Sequence, residues 1–353
     1  MWIRYGLTLL LSLSLSSYAE DTYWISGKNE VLENHRILRI YGAADFHAIE
    51  PVLKYFAVAQ ENLSILYKEF STRELYRHVT EKGDWPDVLL SPAMDLQVKL
   101  VNDGYALPFE SASTTRLPKW ASWRNELYGF TYEPVAIAIN RRILGNDDLV
   151  PKDRTALLNL IRSKESLFKN KIGLLDLETV GLGYLMWAND SQQSRTYGRL
   201  LEVFGANKAQ LYPNSTSMLQ ALANGEIYIA YNVLGSYASE WAARFNELSV
   251  ILPKDYTAVI LRSAIVPKAA KLQRDAIHFV DYLLSEQAQT LLSEHSSLIP
   301  IFSHYDSNED MATLRQTELS PLQPINLGFP LLLLTDKAKR NLLLREWENA
   351  IQN

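Results

Sequence analysis

"LYGFTYEPVAIAIN", Leu127 to Asn140, interrupts an otherwise regular alternation of short strands and helices. Pro134 pushes Glu133 out of the helical region, so the stretch kinks there and stays extended. A second long extended segment, "LSVILPKDYTAVILRSAIVPKAA" (248–270), comes later in the chain. Two strand–helix sets are thus separated by extended segments near 128–140 and 249–266. That pattern predicts an α/β fold of two lobes joined by two crossing hinge strands. The first lobe is expected over 35–130 and again over 262–353, the second over 135–255.

Working outward, "ILRIYGAADF" predicts a strand from Ile37 to Tyr41 and then a small-residue loop. In "HAIEPVLKYFAVAQ" the apolar positions Ile49, Val52, Leu53, Phe56 and Ala57 have helical spacing. Pro51 fits within a first turn, which predicts a start near Ile49 and a loop over Ala43–His47. "LSILYKEF" reads as a strand and "RELYRHVTEKG" as a helix stopped at Gly83. "PDVLLSPAMDLQVKLVNDG" repeats the scheme, with a strand Asp87–Leu90, a loop at Ser91–Pro92 and a helix to Gly104. The second set holds the strands "KIGLLDLE" and "EIYIAYN" and the helices "GLGYLMWAND", "STSMLQALANG" and "SYASEWAARF". Strands alternating with helices imply mostly parallel sheets. "LQRDAIHFVDYLLSEQAQTLLSEH" predicts one amphipathic helix. "SHYDSNEDMATLRQTELSPLQP" reads as a polar surface loop and "DKAKRNLLLREWENAI" as a closing helix.

The first nineteen residues, "MWIRYGLTLLLSLSLSSYA", carry one cation, Arg4, then a Leu- and Ser-rich run ending on Ser17-Tyr18-Ala19. This is the pattern of a cleaved secretory signal peptide. Its apolar run of about 12 residues falls short of the ~20 that span a bilayer. The expected location is the periplasm. Of 353 residues, 35 are basic and 40 acidic, and without Arg4 the balance is 34 to 40. Such a surface gives no reason to expect nucleic acid. With no cysteine, no disulfide supports the fold, so the core must.

In open α/β sheets ligands sit beyond the carboxyl ends of the strands, where helix starts present unpaired N–H groups. The loops there carry Ala44 and Asp45, then Ser91, then Tyr132 and Glu133 at the first crossing. In the second set they carry Asp176, Thr179 and Gly181, and then Tyr231, Asn232, Ser236 and Tyr237. Each has a plain structural rival: Ser236 as a helix cap, Gly181 as a turn residue, the tyrosines as packing groups. Arg262 stands out because it follows a strongly apolar run near the second crossing. Its planar fork suits a carboxylate or phosphate, and its rival reading is a salt bridge to an acid such as Asp255.

The stretches "YGAADFHAIEPVL", "PDVLLSPAMDLQVKLVNDGYALP", "LYGFTYEPVAIAIN", "GEIYIAYNVLGSYA", "PKDYTAVILRSAIVPKAA" and "HFVDYLLSEQAQTLLSE" cover most of the chain beyond its leader. In them the sequence resembles bacterial periplasmic solute-binding proteins of the ABC-transporter type, the class II group with ferric, sugar-phosphate and phosphoglycerate-associated members. The resemblance implies two Rossmann-like lobes that close on a small solute. Some such relatives bind ferric ion through adjacent tyrosines in the second lobe. Here Asn232 follows Tyr231, and the next tyrosine is Tyr237, which counts against iron. The six histidines show no metal-ligand spacing. Asp45, Glu133 and Asp176 are the acids a hard-oxygen ion site would use, although acids at loop ends commonly cap helices.

The leading expectation is a monomeric binding protein, without cofactor or metal, for a small anionic solute that it delivers to an ABC permease. A second is a sensory partner of a membrane histidine kinase that uses the same cleft. A third, an enzyme on this scaffold, finds no nucleophile elbow, H-E-x-x-H or phosphate-loop signature, so no catalytic residue is assigned.

Overall fold

The computed structural model describes residues 21–28, 35–144, 150–193 and 195–351. The expected signal peptide, 1–19, lies outside them. Among the described residues no helix is long and apolar enough to cross a membrane.

Among the described residues fourteen strands form two sheets. In chain order they are β1 (Asp21–Ile25), β2 (Arg36–Gly42), β3 (Leu63–Glu69), β4 (Val88–Ser91), β5 (Ser122–Trp123), β6 (Leu127–Gly129) and β7 (Glu133–Asn140). The rest are β8 (Ile172–Leu175), β9 (Gln210–Tyr212), β10 (Ile229–Leu234), β11 (Leu248–Ile251), β12 (Thr257–Ile260), β13 (Ser263–Ile265) and β14 (Leu322–Pro324). The first sheet runs β1-β3-β2-β4-β13-β6-β5. The second runs β14-β12-β7-β10-β8-β9, with β11 also paired to β7.

The two long extended segments each change sheet part-way. Gly129 pairs with Ser263 in the first sheet, and Glu133 pairs with Ile260 in the second. Between these pairs the chain crosses at Phe130–Tyr132 and returns at Leu261–Arg262. The two crossings hold each other: Phe130 N–H donates to the Arg262 carbonyl at 2.8 Å, and Arg262 N–H to Thr131 Oγ1 at 3.0 Å. The fully buried Gln289 donates to the Phe130 carbonyl at 3.1 Å, so the bend leaves that acceptor paired.

The sheets are mixed, not mostly parallel. Parallel pairs join β2 to β3 and β4, β8 to β9 and β10, and β12 to β14. The crossing strands β7 and β13 run antiparallel to their main neighbours, because a chain that leaves one sheet and returns must reverse direction.

Four local expectations also change. The first helix spans Phe46–Ala59, starting three residues early, because Glu69 Oε2 accepts the Phe46 N–H at 2.8 Å. Pro51 then sits in the second turn, and the bond it cannot make faces the carbonyl of exposed His47. The single helix expected after residue 272 is two, Gln273–Leu283 and Glu286–His295, because Ser285 caps the second through Ala288 N–H. The polar stretch after 303 contains the helix Glu309–Gln316 and β14. "LSVILPKDYTAVILRSAIVPKAA" divides into β11, β12 and β13.

The tail departs most from the expected partition. Its short helix Phe329–Leu332 packs on Met94–Asn102 of the first lobe. The final helix, Lys337–Ile351, instead lies on Tyr197–Ala206 of the second. Trp347 is fully buried there in one apolar cluster with Leu200 and Phe204. The first lobe therefore does not take all of 262–353, and the tail straps the lobes together. A Cβ on Gly205 would lie 1.7 Å from the Ala350 carbonyl oxygen, so only glycine lets these helices approach so closely. Gly205→Ala should lower the urea unfolding free energy by about 1–3 kcal/mol, the range for overpacking. An unchanged urea midpoint would show that the tail does not need this contact.

Candidate functional site

The buried polar groups gather where the crossings meet the helix starts. Arg262 is 2% exposed and Glu133 fully buried, with Arg262 Nε 3.3 Å from Glu133 Oε1. Arg262 Nη1 donates to the Ala43 carbonyl at 3.1 Å. The guanidinium also lies 5.2 Å from the Tyr237 ring centroid. The acid that pairs with Arg262 is thus Glu133 rather than Asp255, which pairs with Arg154. Ser236 faces the same Glu133 carboxylate and contributes to its electrostatics. It does not cap the Gly235–Arg244 helix, whose N-cap position is Leu234.

The first lobe supplies the opposite wall. Tyr67 OH donates to the Ala44 carbonyl at 2.7 Å, across the space above Gly42. A Cβ at Gly42 would lie 2.1 Å from that hydroxyl. Asp45 is the N-cap position of the Phe46–Ala59 helix, and its Oδ2 accepts from Thr216 Oγ1 of the second lobe at 3.0 Å. Farther along the seam, Leu182 N–H donates to Thr72 Oγ1 at 3.2 Å. The lobes therefore touch along a seam with polar pairs at both of these places.

Arg262, Glu133, Ser236, Tyr237, Ala44 and Asp45 come together at this junction. Gly181 lies farther along it, packed on Thr72 and Leu96. The other candidates are engaged elsewhere. Tyr132 packs with Val259 and Leu322 under the Arg315 guanidinium, 3.9 Å from its ring centroid. Ser91 Oγ accepts from Ala93 N–H at 3.1 Å, which starts the next helix. Thr179 donates to Asp176 Oδ2 at 2.8 Å within an exposed turn.

Tyr231 points into the second lobe's core, where its hydroxyl donates to Asp190 Oδ2 at 2.8 Å and accepts from Arg154 Nε at 3.0 Å. Asn232 sits at a bulge in β10 with φ 56°, a left-handed conformation that asparagine tolerates. Its amide donates to the same Asp190 oxygen at 2.9 Å. Asp176 stands apart from Asp45 and Glu133 in its own exposed turn, and each of the three carboxylates serves a different partner. Among the described residues no group of three or more His, Cys, Asp or Glu is placed to hold a metal.

Sequence reasoning missed Tyr67, Glu69, Thr72 and Thr216. Tyr67 and Glu69 are strand residues and Thr72 and Thr216 open helices, so nothing local marks them as seam residues.

The sequence profile of the bacterial extracellular solute-binding proteins matches residues 83–322, well over half of the chain. This chain belongs to that family. The solute-binding protein has the same fold as the substrate-binding protein of an ABC transporter from Agrobacterium tumefaciens. The two are 27% identical with a TM-score of 0.86 over 94% of this chain and 99% of that one. Iron-bound HitA from Pseudomonas aeruginosa is 18% identical, TM-score 0.69, over 89% and 99%. AfuA from Actinobacillus pleuropneumoniae, with exogenous fructose-6-phosphate bound, is 16% identical, TM-score 0.71, over 90% and 99%. These two likenesses concern the fold alone. No curated protein matches the sequence.

Burial raises the Glu133 pKa above the ordinary carboxylate range, and the Arg262 charge opposes this only in part. For Arg262 burial disfavours the charge, but Tyr237, Glu133 and Asp45 outweigh it and hold the guanidinium protonated. Burial likewise raises the Tyr237 hydroxyl. Glu69 is pushed up to about 7, chiefly by burial, against the Phe46 N–H bond that favours its charge. An acid raised on folding stabilises the native state below its unfolded pKa, and that stability is lost as pH rises through the folded value. In the solute-binding protein this contribution fades between about pH 4.5 and 7. Glu69→Gln, which keeps an acceptor for Phe46 N–H, should flatten the fall in urea midpoint over that window. An unchanged pH slope would refute the assignment.

Proposed function

We propose that this protein binds a small, hydroxylated, anionic solute between its lobes and delivers it to an ABC permease from the periplasm. One observation carries the reading. Among the described residues, Arg262 Nη2, Glu133 Oε2, Ser236 Oγ and Tyr237 OH are buried without hydrogen-bond partners. All four belong to the junction of the lobes. Leaving such atoms unpaired costs about 1–3 kcal/mol each. A solute that brings both acceptors and donors would satisfy them together.

The anionic part rests on Arg262 Nη2 and on the helices that start at Phe46 and Gly235, whose N-terminal N–H groups favour negative charge. Glu133 neutralises much of Arg262, so the solute also needs a donor, such as a hydroxyl, for Glu133 Oε2. AfuA, solved with fructose-6-phosphate, is a protein of this fold that holds such a compound. The seam contacts mean that the lobes must part to admit a solute. Motion at 130–132 and 261–262 would separate them while leaving each sheet intact. A solute that engages both walls then favours the closed form, because only that form offers all its partners. The leader pattern supports the periplasm. The transporter relatives favour a permease over a sensor kinase as the receiving partner.

Native mass spectrometry of protein purified without refolding should show a retained small organic anion. Tyr237→Phe should lower the urea midpoint of the solute-free protein only slightly, because its hydroxyl meets the Asp45 backbone without forming a hydrogen bond of normal geometry. It should weaken solute binding at least fivefold, about 1 kcal/mol. Well-folded protein that carries no adduct, and that shows no thermal shift with hydroxylated carboxylates or phosphates, would overturn the reading.

A further inference from the structure

The C-terminal strap is fastened on both sides of the seam, with one short turn between its anchors. On the first-lobe side, buried Leu331 belongs to the helix Phe329–Leu332, which packs on Met94–Asn102. On the second-lobe side, Asp336 caps the helix Lys337–Ile351, its Oδ1 accepting from Lys339 N–H at 2.9 Å. Arg340 fastens the first turn of that helix. Its guanidinium lies 4.0 Å from the Tyr184 ring centroid, and Nη2 donates to the Leu177 carbonyl at 3.5 Å. Trp347 anchors the far end in the second-lobe core.

Only residues 333–336 lie between the two helices. Leu333–Thr335 form a single 3₁₀ turn, which Thr335 Oγ1 closes by donating to the Leu332 carbonyl at 2.8 Å. The turn itself packs on Met94–Asn102 of the first lobe. Tyr184, buried on the second-lobe helix Gly181–Gln193, donates from its hydroxyl to the Leu334 carbonyl at 3.0 Å. That bond joins a second-lobe side chain to a turn seated on the first lobe. Gly181–Gln193 and Met94–Asn102 also touch each other, so the strap spans the seam at a place of direct contact between lobes.

The length of the link sets a limit. A 3₁₀ turn rises about 2 Å per residue and an extended chain about 3.3–3.6 Å. Unwinding the three residues of Leu333–Thr335 therefore releases about 4–5 Å. Beyond that, the strap lengthens only by pulling Leu331 or the Lys337–Ile351 helix from its seat. Parting the lobes also carries Tyr184 away from the turn, so its hydrogen bond to Leu334 is present in the closed form alone.

We propose that the turn Leu333–Thr335 is a catch on lobe movement. Held by Tyr184, it favours the closed form; unwound, it limits how far the lobes part. This rests on the proposed opening of the lobes around a solute and names the device that restrains it. The closed form owes part of its advantage to a residue outside the solute site, so the open–closed ratio can change without any solute contact being altered.

The chain has no cysteine, so spin labels at His47→Cys and Gln220→Cys, both exposed, report a single distance between the lobes. Pulsed dipolar electron spin resonance on the solute-free protein should show a short, closed distance and a longer, open one. Tyr184→Phe should raise the open-to-closed ratio about fivefold, the effect of losing one hydrogen bond. Three glycines inserted between Thr335 and Asp336 add about 10 Å of chain. They leave every hydrogen bond named above in place, and should move the longer distance outward by several ångströms while the short one stays. An unchanged ratio in Tyr184→Phe would overturn the holding role of Tyr184, and an unchanged outer distance in the insertion variant would overturn the limit. Two distances in the wild type that neither variant alters would sink the catch and leave the interlobe site standing. One short distance in all three proteins would remove both.

Discussion

The pairing of Glu133 with Arg262 is the constraint around which this molecule is arranged. It joins the two strands that cross between sheets, one residue from each, with no access to water. A lone buried charge here would be worth about 3–5 kcal/mol of destabilisation, so each residue requires the other. The pair therefore holds the crossings in register just where the backbone changes sheet. It is also incompletely satisfied, with one nitrogen and one oxygen left over. An ordinary structural ion pair in a core would be surrounded by further partners, as Arg154 is by Asp190, Asp255, Tyr231 and the Tyr256 carbonyl. The proposed binding role of Arg262 rests on this contrast between the two buried arginines.

The scaffold in the second lobe in turn positions the site. Asp190 accepts from Tyr231 and Asn232 on β10, fixing the bulge from which the chain enters the Gly235–Arg244 helix. That helix presents Ser236 and Tyr237 to the crossing. In the first lobe, Tyr67 and Glu69 hold the Ala44 carbonyl and the Phe46 N–H. Each wall is braced by its own sheet, while the seam combines the Thr216–Asp45 and Leu182–Thr72 hydrogen bonds with apolar contacts, Leu182 and Leu185 lying in one buried cluster with first-lobe residues such as Leu75 and Val98. The C-terminal strap adds a third link. Its anchors are the short helix Phe329–Leu332 on one side and Trp347 on the other. In the proposed opening the strap would bend as well as the two crossings.

Much of this was legible from local pattern. Helical spacing, glycine stops and apolar runs located most strands and helices, and the two long extended segments announced the crossings. The loops beyond the strand ends pointed to Arg262, Glu133, Ser236, Tyr237, Ala44 and Asp45 as candidate ligand contacts, and the structure brings these six to one junction. The misses share one cause. Phe46 starts its helix early because a glutamate from another strand accepts its N–H, and Tyr132 and Tyr231 point away from the seam because of the packing around them. Ser91 and Thr179 serve their own turns. Such choices depend on residues distant in sequence.

The sequence by itself determined the two-lobed α/β plan, because hydrophobic period, proline and glycine act over a few residues and need no partner. Only the tertiary structure decided that Glu133 is Arg262's partner, that the sheets are mixed and that the tail ends on the second lobe. Those outcomes rest on long-range packing and on the requirement that buried charges and backbone groups find partners, and no short window of sequence contains both members of such a pair.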